Sequence, residues 1–218
     1  MKNSTRYQTT RIVHLGCITA LALACTVALP RAAHAEKVVP PNVPDKLKVL
    51  GDNKAFLVGH AIGTQNYVCL AAGAGFAWNL FTPEATLFTD EEKQIITHFF
   101  SPNPHEGGIV RATWQDSRDT SEFWGQATVT ADHASDPQFV KDGAIPWVLL
   151  AFAGSQDGPR GNNGRLTPTT FVQRVNTDGG VAPPSACSQA SDVGKKAFIP
   201  YTADYFFYKH PGHDGEDD

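Results

Sequence analysis

No HExxH pair, GxSxG elbow, GxxxxGKS/T phosphate loop or EF-hand loop occurs in this sequence. The short signatures of a zinc protease, an α/β-hydrolase, a nucleotide-binding loop and a calcium site are therefore absent. It has no CxxC, and no histidine is spaced to join either Cys69 or Cys187 as a metal ligand. There is no basic cluster on a chain of formal charge −4, which argues against nucleic acid and anionic membrane surfaces as partners. No long amphipathic helical pattern and no internal repeat is found, which excludes helical bundles and solenoids. No cofactor is expected.

What is present begins with an export signal. Lys2, Arg6 and Arg11 precede an apolar run from about Ile12 to Leu29, and Ala33-His34-Ala35 has the small-x-small form that signal peptidase reads. Cleavage is expected between Ala35 and Glu36, giving a secreted or periplasmic protein without a membrane span. An uncleaved anchor and a lipoprotein signal ending at Cys25 are the alternatives. Removing residues 1–35 leaves 14 basic against 22 acidic residues, a net charge of −8. It also removes Cys17 and Cys25. Two cysteines then remain in an exported chain, and a Cys69–Cys187 disulfide is expected, with two free buried thiols as the alternative.

Residues 36–46 carry three prolines and read as an extended lead-in. From residue 47 to 208 the chain is a series of short β-branched and aromatic segments separated by turn residues. Residues 56–62 and 65–70 flank Gly63-Thr64, a type II′ hairpin signal. Strands are expected at 76–80, 83–88, 95–100, 109–114, 123–130, 171–175 and 199–208. Asp136-Pro137 suggests one helical turn. Residues 145–152 are apolar on both faces and read as a core strand covered on both sides. The glycine-rich residues 154–165 read as a mobile surface loop, and 209–218, with His210 and His213, as a disordered tail. The expected fold is all-β: a single-domain antiparallel sandwich or barrel of about nine to ten short strands, with at most one or two helical turns.

The stretch FVQRVNTDGGVAPPSAC at 171–187 holds the most committed chemistry, since Gln173 and Arg174 lie on opposite faces of one strand. On residues 199–208, Tyr201, Ala203, Tyr205 and Phe207 share one face, and Thr202, Asp204, Phe206 and Tyr208 the other. Gln173, Arg174, Asn176, Tyr201, Asp204 and Tyr205 form the candidate site. If the strands pair, Arg174 is expected to meet Asp204, either as a buried network that fixes register or as a pocket floor walled by aromatics. A second candidate is the polar loop 115–122, bracketed by Trp114 and Trp124, with Asp116, Arg118 and Asp119 as a site rim. His60 and His98 fall on strands and read as hydrogen-bonded sheet residues. His105-Glu106 lies in a loop and reads as exposed.

IPWVLL, VQRVNTDGGVAPPSAC and IPYTADYFFY, in that order, resemble the signatures of the DUF3455 family. GTQNYVC, PEATL and HFFSP resemble its N-terminal half. The resemblance spans about Phe56 to Tyr208 and implies a secreted single-domain protein. It implies no reaction and no catalytic residues. The functional expectation is a non-catalytic binding or envelope-associated module, with a glycan or a small apolar molecule as partner. A hydrolase or isomerase using Asp116, Asp119, Glu122 and Asp204 is the alternative, and a purely structural role a third.

Overall fold

The computed structural model describes residues 37–159, 161 and 163–212. The expected signal peptide and His213 lie outside the described residues. Eight strands form one closed antiparallel barrel in sequence order. They are β1 (Lys54–Ala72), β2 (Gly75–Phe88), β3 (Gln94–Asn103), β4 (Ile109–Asp116), β5 (Glu122–Ala131), β6 (Trp147–Gln156), β7 (Phe171–Gly179) and β8 (Lys196–Lys209). Every strand pairs with its sequence neighbour, and β8 closes onto β1 from Lys54↔Lys209 to Val68↔Lys196. Closure leaves no sheet edge to template aggregation.

The strands are fewer and longer than expected because two sequence breaks are not breaks. Gly63-Thr64 makes no hairpin: β1 runs straight through it, and the missing Cβ admits β2. A Cβ at Gly63 would lie 2.1 Å from the Glu84 carbonyl oxygen and 2.6 Å from Ala85 Cα. The glycine serves close backbone approach, not a turn. Residues 76–80 and 83–88 are likewise one strand, β2, with Phe81 bulged between the pairs Asn66↔Thr82 and Tyr67↔Leu80.

Two apolar layers hold the barrel. The inner one contains Leu57, Leu87, Ile96, Trp114, Phe123, Val172 and Phe207, with Leu166 from the β6–β7 connection plugging one end. The end of that connection is hydrogen-bonded to the barrel. Leu166 N–H donates to Ser121 Oγ, Arg165 N–H to Asp119 Oδ2 and Gly164 N–H to Asp157 Oδ1. Residues 154–156 belong to β6. The second layer lies outside the barrel. There the proline-rich lead-in lays Val38, Val43, Leu47 and Val49 over Trp147, Leu149, Val175, Phe206 and Tyr208. This explains the two-sided apolar character of β6: Val148 and Leu150 face in, while Trp147 and Leu149 face the lead-in. Residues 136–140 close the single turn expected there, the Asp136 backbone carbonyl accepting from Phe139 N–H and Val140 N–H.

The Cys69–Cys187 disulfide joins β1 to the β7–β8 connection across 118 residues of sequence. It braces the part of the β1–β2 hairpin that extends past β3, whose pairing with β2 covers only Ala85 to Phe88. Trp78 Nε1–H adds a second tie there, donating to the Ser185 carbonyl. No helix among the described residues is long and apolar enough to cross a membrane.

A cavity at the open end of the barrel

Leu166 fills the barrel end near the β4–β5 turn. Toward the other end small side chains replace large ones on the inner face, with Ala112 on β4 and Gly125 and Ala127 on β5. They border a cavity of about 320 Å³ that opens to solvent past Leu80, Val110 and Thr130. Its apolar wall includes Phe100, Ala112, Val148 and Leu150. Its polar groups include Gln65 (β1), His98 (β3), Arg174 (β7) and Tyr205 (β8), together with the Trp114 ring (β4), with Arg111, Gln126 and Thr130 also on its lining. The register places Val148, Arg174 and Tyr205 side by side on three adjacent strands. The rings of His98, Trp114 and Tyr205 pack as a trio. His98 stacks on Trp114 at 4.3 Å and 10°, and Tyr205 lies 5.1 Å from His98 and 5.6 Å from Trp114.

His98 is buried, and its protonation state follows from its neighbours. Burial holds the imidazole down, to about 3; the hydrogen bond to the Thr113 carbonyl works the other way, and the Arg174 charge depresses it further. Near neutral pH the ring is therefore uncharged. Nδ1 lies 2.8 Å from the Thr113 carbonyl oxygen, which can only accept, so Nδ1 carries the proton. Nε2 is left as a bare acceptor.

Arg174 carries the wall's unbalanced charge. Its Nε and Nη2 both donate to the Pro146 carbonyl, at 3.2 and 2.8 Å, and it makes no ion pair among the described residues. Arg111, at the mouth, is instead clamped to Glu106, which it holds well below the carboxylate range, at about 2. Among the described residues no aspartate or glutamate lines the cavity. Two further donors in the wall, Gln65 Nε2 and Trp114 Nε1, have no hydrogen-bond partner among the described residues, although both side chains are at most 2% exposed. The Tyr201 and Tyr205 hydroxyls meet at 3.2 Å, and burial raises the Tyr201 phenol.

The six residues proposed from the C-terminal strands divide by face. Arg174, Tyr201 and Tyr205 point into the barrel; Gln173, Asn176 and Asp204 lie on its outer side. Arg174 does not meet Asp204, because Arg174 pairs with Tyr205 and Asp204 with Val175, one step out of phase. Asp204 instead accepts from Asn176 Nδ2 at 2.7 Å and contacts His60 Nδ1 at 2.7 Å. His60 Nε2 is 3.0 Å from Asp90 Oδ1 but poorly aligned for a hydrogen bond. Gln173 is buried under the lead-in, donating to the Leu47 carbonyl and accepting from Tyr208 O–H.

The loop rim also separates. Trp114 faces Phe123 across the β4–β5 hairpin and Trp124 faces Thr113, so the two indoles lie on opposite sides of the sheet. Trp124 donates outside to Ser101 Oγ. Asp116 Oδ1 accepts from Arg118 N–H and Asp119 N–H, while Asp119 accepts from Ser121 N–H and Arg165 N–H. Both aspartates thus fix the turn backbone, and Arg118 is exposed. Glu122, raised by burial against its bond from Gln115, lies apart from the cavity. Among the described residues no cluster of three or more His, Cys, Asp or Glu is arranged to hold a metal.

A profile described as protein of unknown function (DUF3455) matches residues 51–209. No curated protein and no solved structure matches the chain.

Proposed function

Because the chain belongs to the DUF3455 family, whose function is unknown, we propose a role read from its own geometry: the open barrel end is a binding cup for a small, largely apolar molecule with one polar end. The observation that carries this reading is the cavity itself. Its walls are apolar and aromatic, and a few polar groups converge in it with donors to spare, which is the usual makeup of a small-ligand site. Eight-stranded barrels of other families hold one small ligand in the same place, a fold-level analogy. At about 320 Å³ the cup suits one or two rings or a short chain, and its Phe100, Val148 and Leu150 surface favours an apolar body over a hydrated glycan.

The protein binds without turning over its ligand. Among the described residues no carboxylate lines the cavity, and a histidine held to about 3 is too weak a base to abstract protons efficiently near neutrality. Export is part of the proposal, supported by the Ala33-His34-Ala35 site in the sequence and by a disulfide suited to an oxidising compartment.

A thermal-shift titration with 2-naphthalenemethanol tests the cup. The ligand is expected to raise the melting temperature of wild type with increasing concentration, and to leave Ala112→Phe, whose new ring fills the cavity, unchanged. Equal shifts in both proteins would refute the cup.

A further inference from the structure

We propose that the polar end of the ligand is a carboxylate and that Arg174 is its anchor; this rests on the cup reading above. Arg174 is the guanidinium in the wall that faces no carboxylate, since Arg111 is held bidentately by Glu106 at 2.6 and 2.7 Å. The Pro146 carbonyl accepts from Nε and Nη2 and so fixes the plane of the fork, but a neutral oxygen supplies no countercharge. Nη1 has no hydrogen-bond partner among the described residues. A cation drawn partly out of water beside Trp114, Val148 and Tyr205 calls for an anion that brings its own charge.

The other polar groups narrow the class. Gln65 Nε2 and Trp114 Nε1 are buried donors without hydrogen-bond partners among the described residues, available to a group that only accepts. His98 contributes no second positive charge, because its ring is neutral with Nδ1 spent on Thr113. One cation matches a monoanion. A dianionic phosphate would stay half uncompensated among apolar walls, whereas a monocarboxylate leaves its body free to lie against Phe100, Ala112 and Leu150. The ligand class is a small aromatic or short-chain monocarboxylic acid.

Calorimetric titration of the disulfide-bonded protein with 2-naphthoate and with its neutral counterpart, 2-naphthalenemethanol, separates this proposal from the cup. The acid is expected to bind wild type on the order of tenfold tighter or more than the alcohol, the scale of a hydrogen bond to a charged group. In Arg174→Gln that preference should vanish while the alcohol still binds; in Arg174→Lys it should survive in part. Equal affinities for acid and alcohol in wild type would overturn the carboxylate and leave the cup standing. Failure of both to bind would remove the cup and this proposal with it. Should Arg174→Gln not fold, the wild-type comparison and Arg174→Lys still decide. Octanoate against octanol, in the same protein, tells an aliphatic body from an aromatic one.

Discussion

Acid should weaken this barrel through His98 before it does so through the carboxylates. The unfolded imidazole titrates near pH 6.5, and in the folded protein burial and Arg174 hold it to about 3. Because the folded value is the depressed one, the unfolded chain binds a proton between these limits that the barrel refuses. Stability is therefore complete above about pH 6.5 and is lost as pH falls toward 3, at up to about 1.4 kcal/mol per unit. From pH 7 to pH 5 the loss from this one ring comes to about 2 kcal/mol. Glu106 and Asp192, both held at about 2, begin to contribute only once unfolded carboxylates protonate, below about pH 4.5. His98→Asn separates the ring from the other histidines, since an amide N–H can face the Thr113 carbonyl without titrating. Urea unfolding at pH 7, 6 and 5 is expected to show wild type losing about 2 kcal/mol more than the variant. Parallel losses in the two proteins would mean that the ring is not buried as a neutral base.

Two further outcomes probe the scaffold. Cys187→Ser opens a crosslink spanning 118 residues, worth up to about 5 kcal/mol on chain entropy alone, so the melting temperature should fall by roughly 10–15 °C and Cys69 should become alkylatable; an unchanged melting curve would refute the brace. Leu47→Ala hollows the layer under the lead-in and should cost about 3 kcal/mol in denaturant unfolding, whereas a loss below about 1 kcal/mol would mean that the lead-in does not pack.

Strand identity, the crosslink and the alternation of β8 were legible in the sequence because each rests on local chemistry. Period-two patterning places Tyr201, Ala203, Tyr205 and Phe207 on one face wherever the strand sits. What lies across from a strand is not local. Arg174 and Asp204 looked like partners until register set them on opposite sides of the sheet, and Gly63 looked like a turn because its real task, admitting the Glu84 backbone, depends on a neighbouring strand. Trp114 and Trp124 misled for the same reason, being an even number of residues apart on two strands joined by a turn that reverses the phase. Gln65 and His98 passed as ordinary sheet residues. The usable signal was the small residues: Ala112 two positions before Trp114, and Gly125 and Ala127 at inner positions of β5, mark where the barrel stops filling itself.

The cup is tested most directly by the indole N–H resonances of the four tryptophans. Trp114 lines the cavity, while Trp78 and Trp124 donate elsewhere, to Ser185 and Ser101. Titrating 2-naphthoate into the labelled protein should move the Trp114 indole signal, assigned from Trp114→Phe, and leave those of Trp78 and Trp124 in place. A stationary Trp114 signal at saturating ligand, or movement confined to Trp78 or Trp124, would contradict a ligand held inside the barrel.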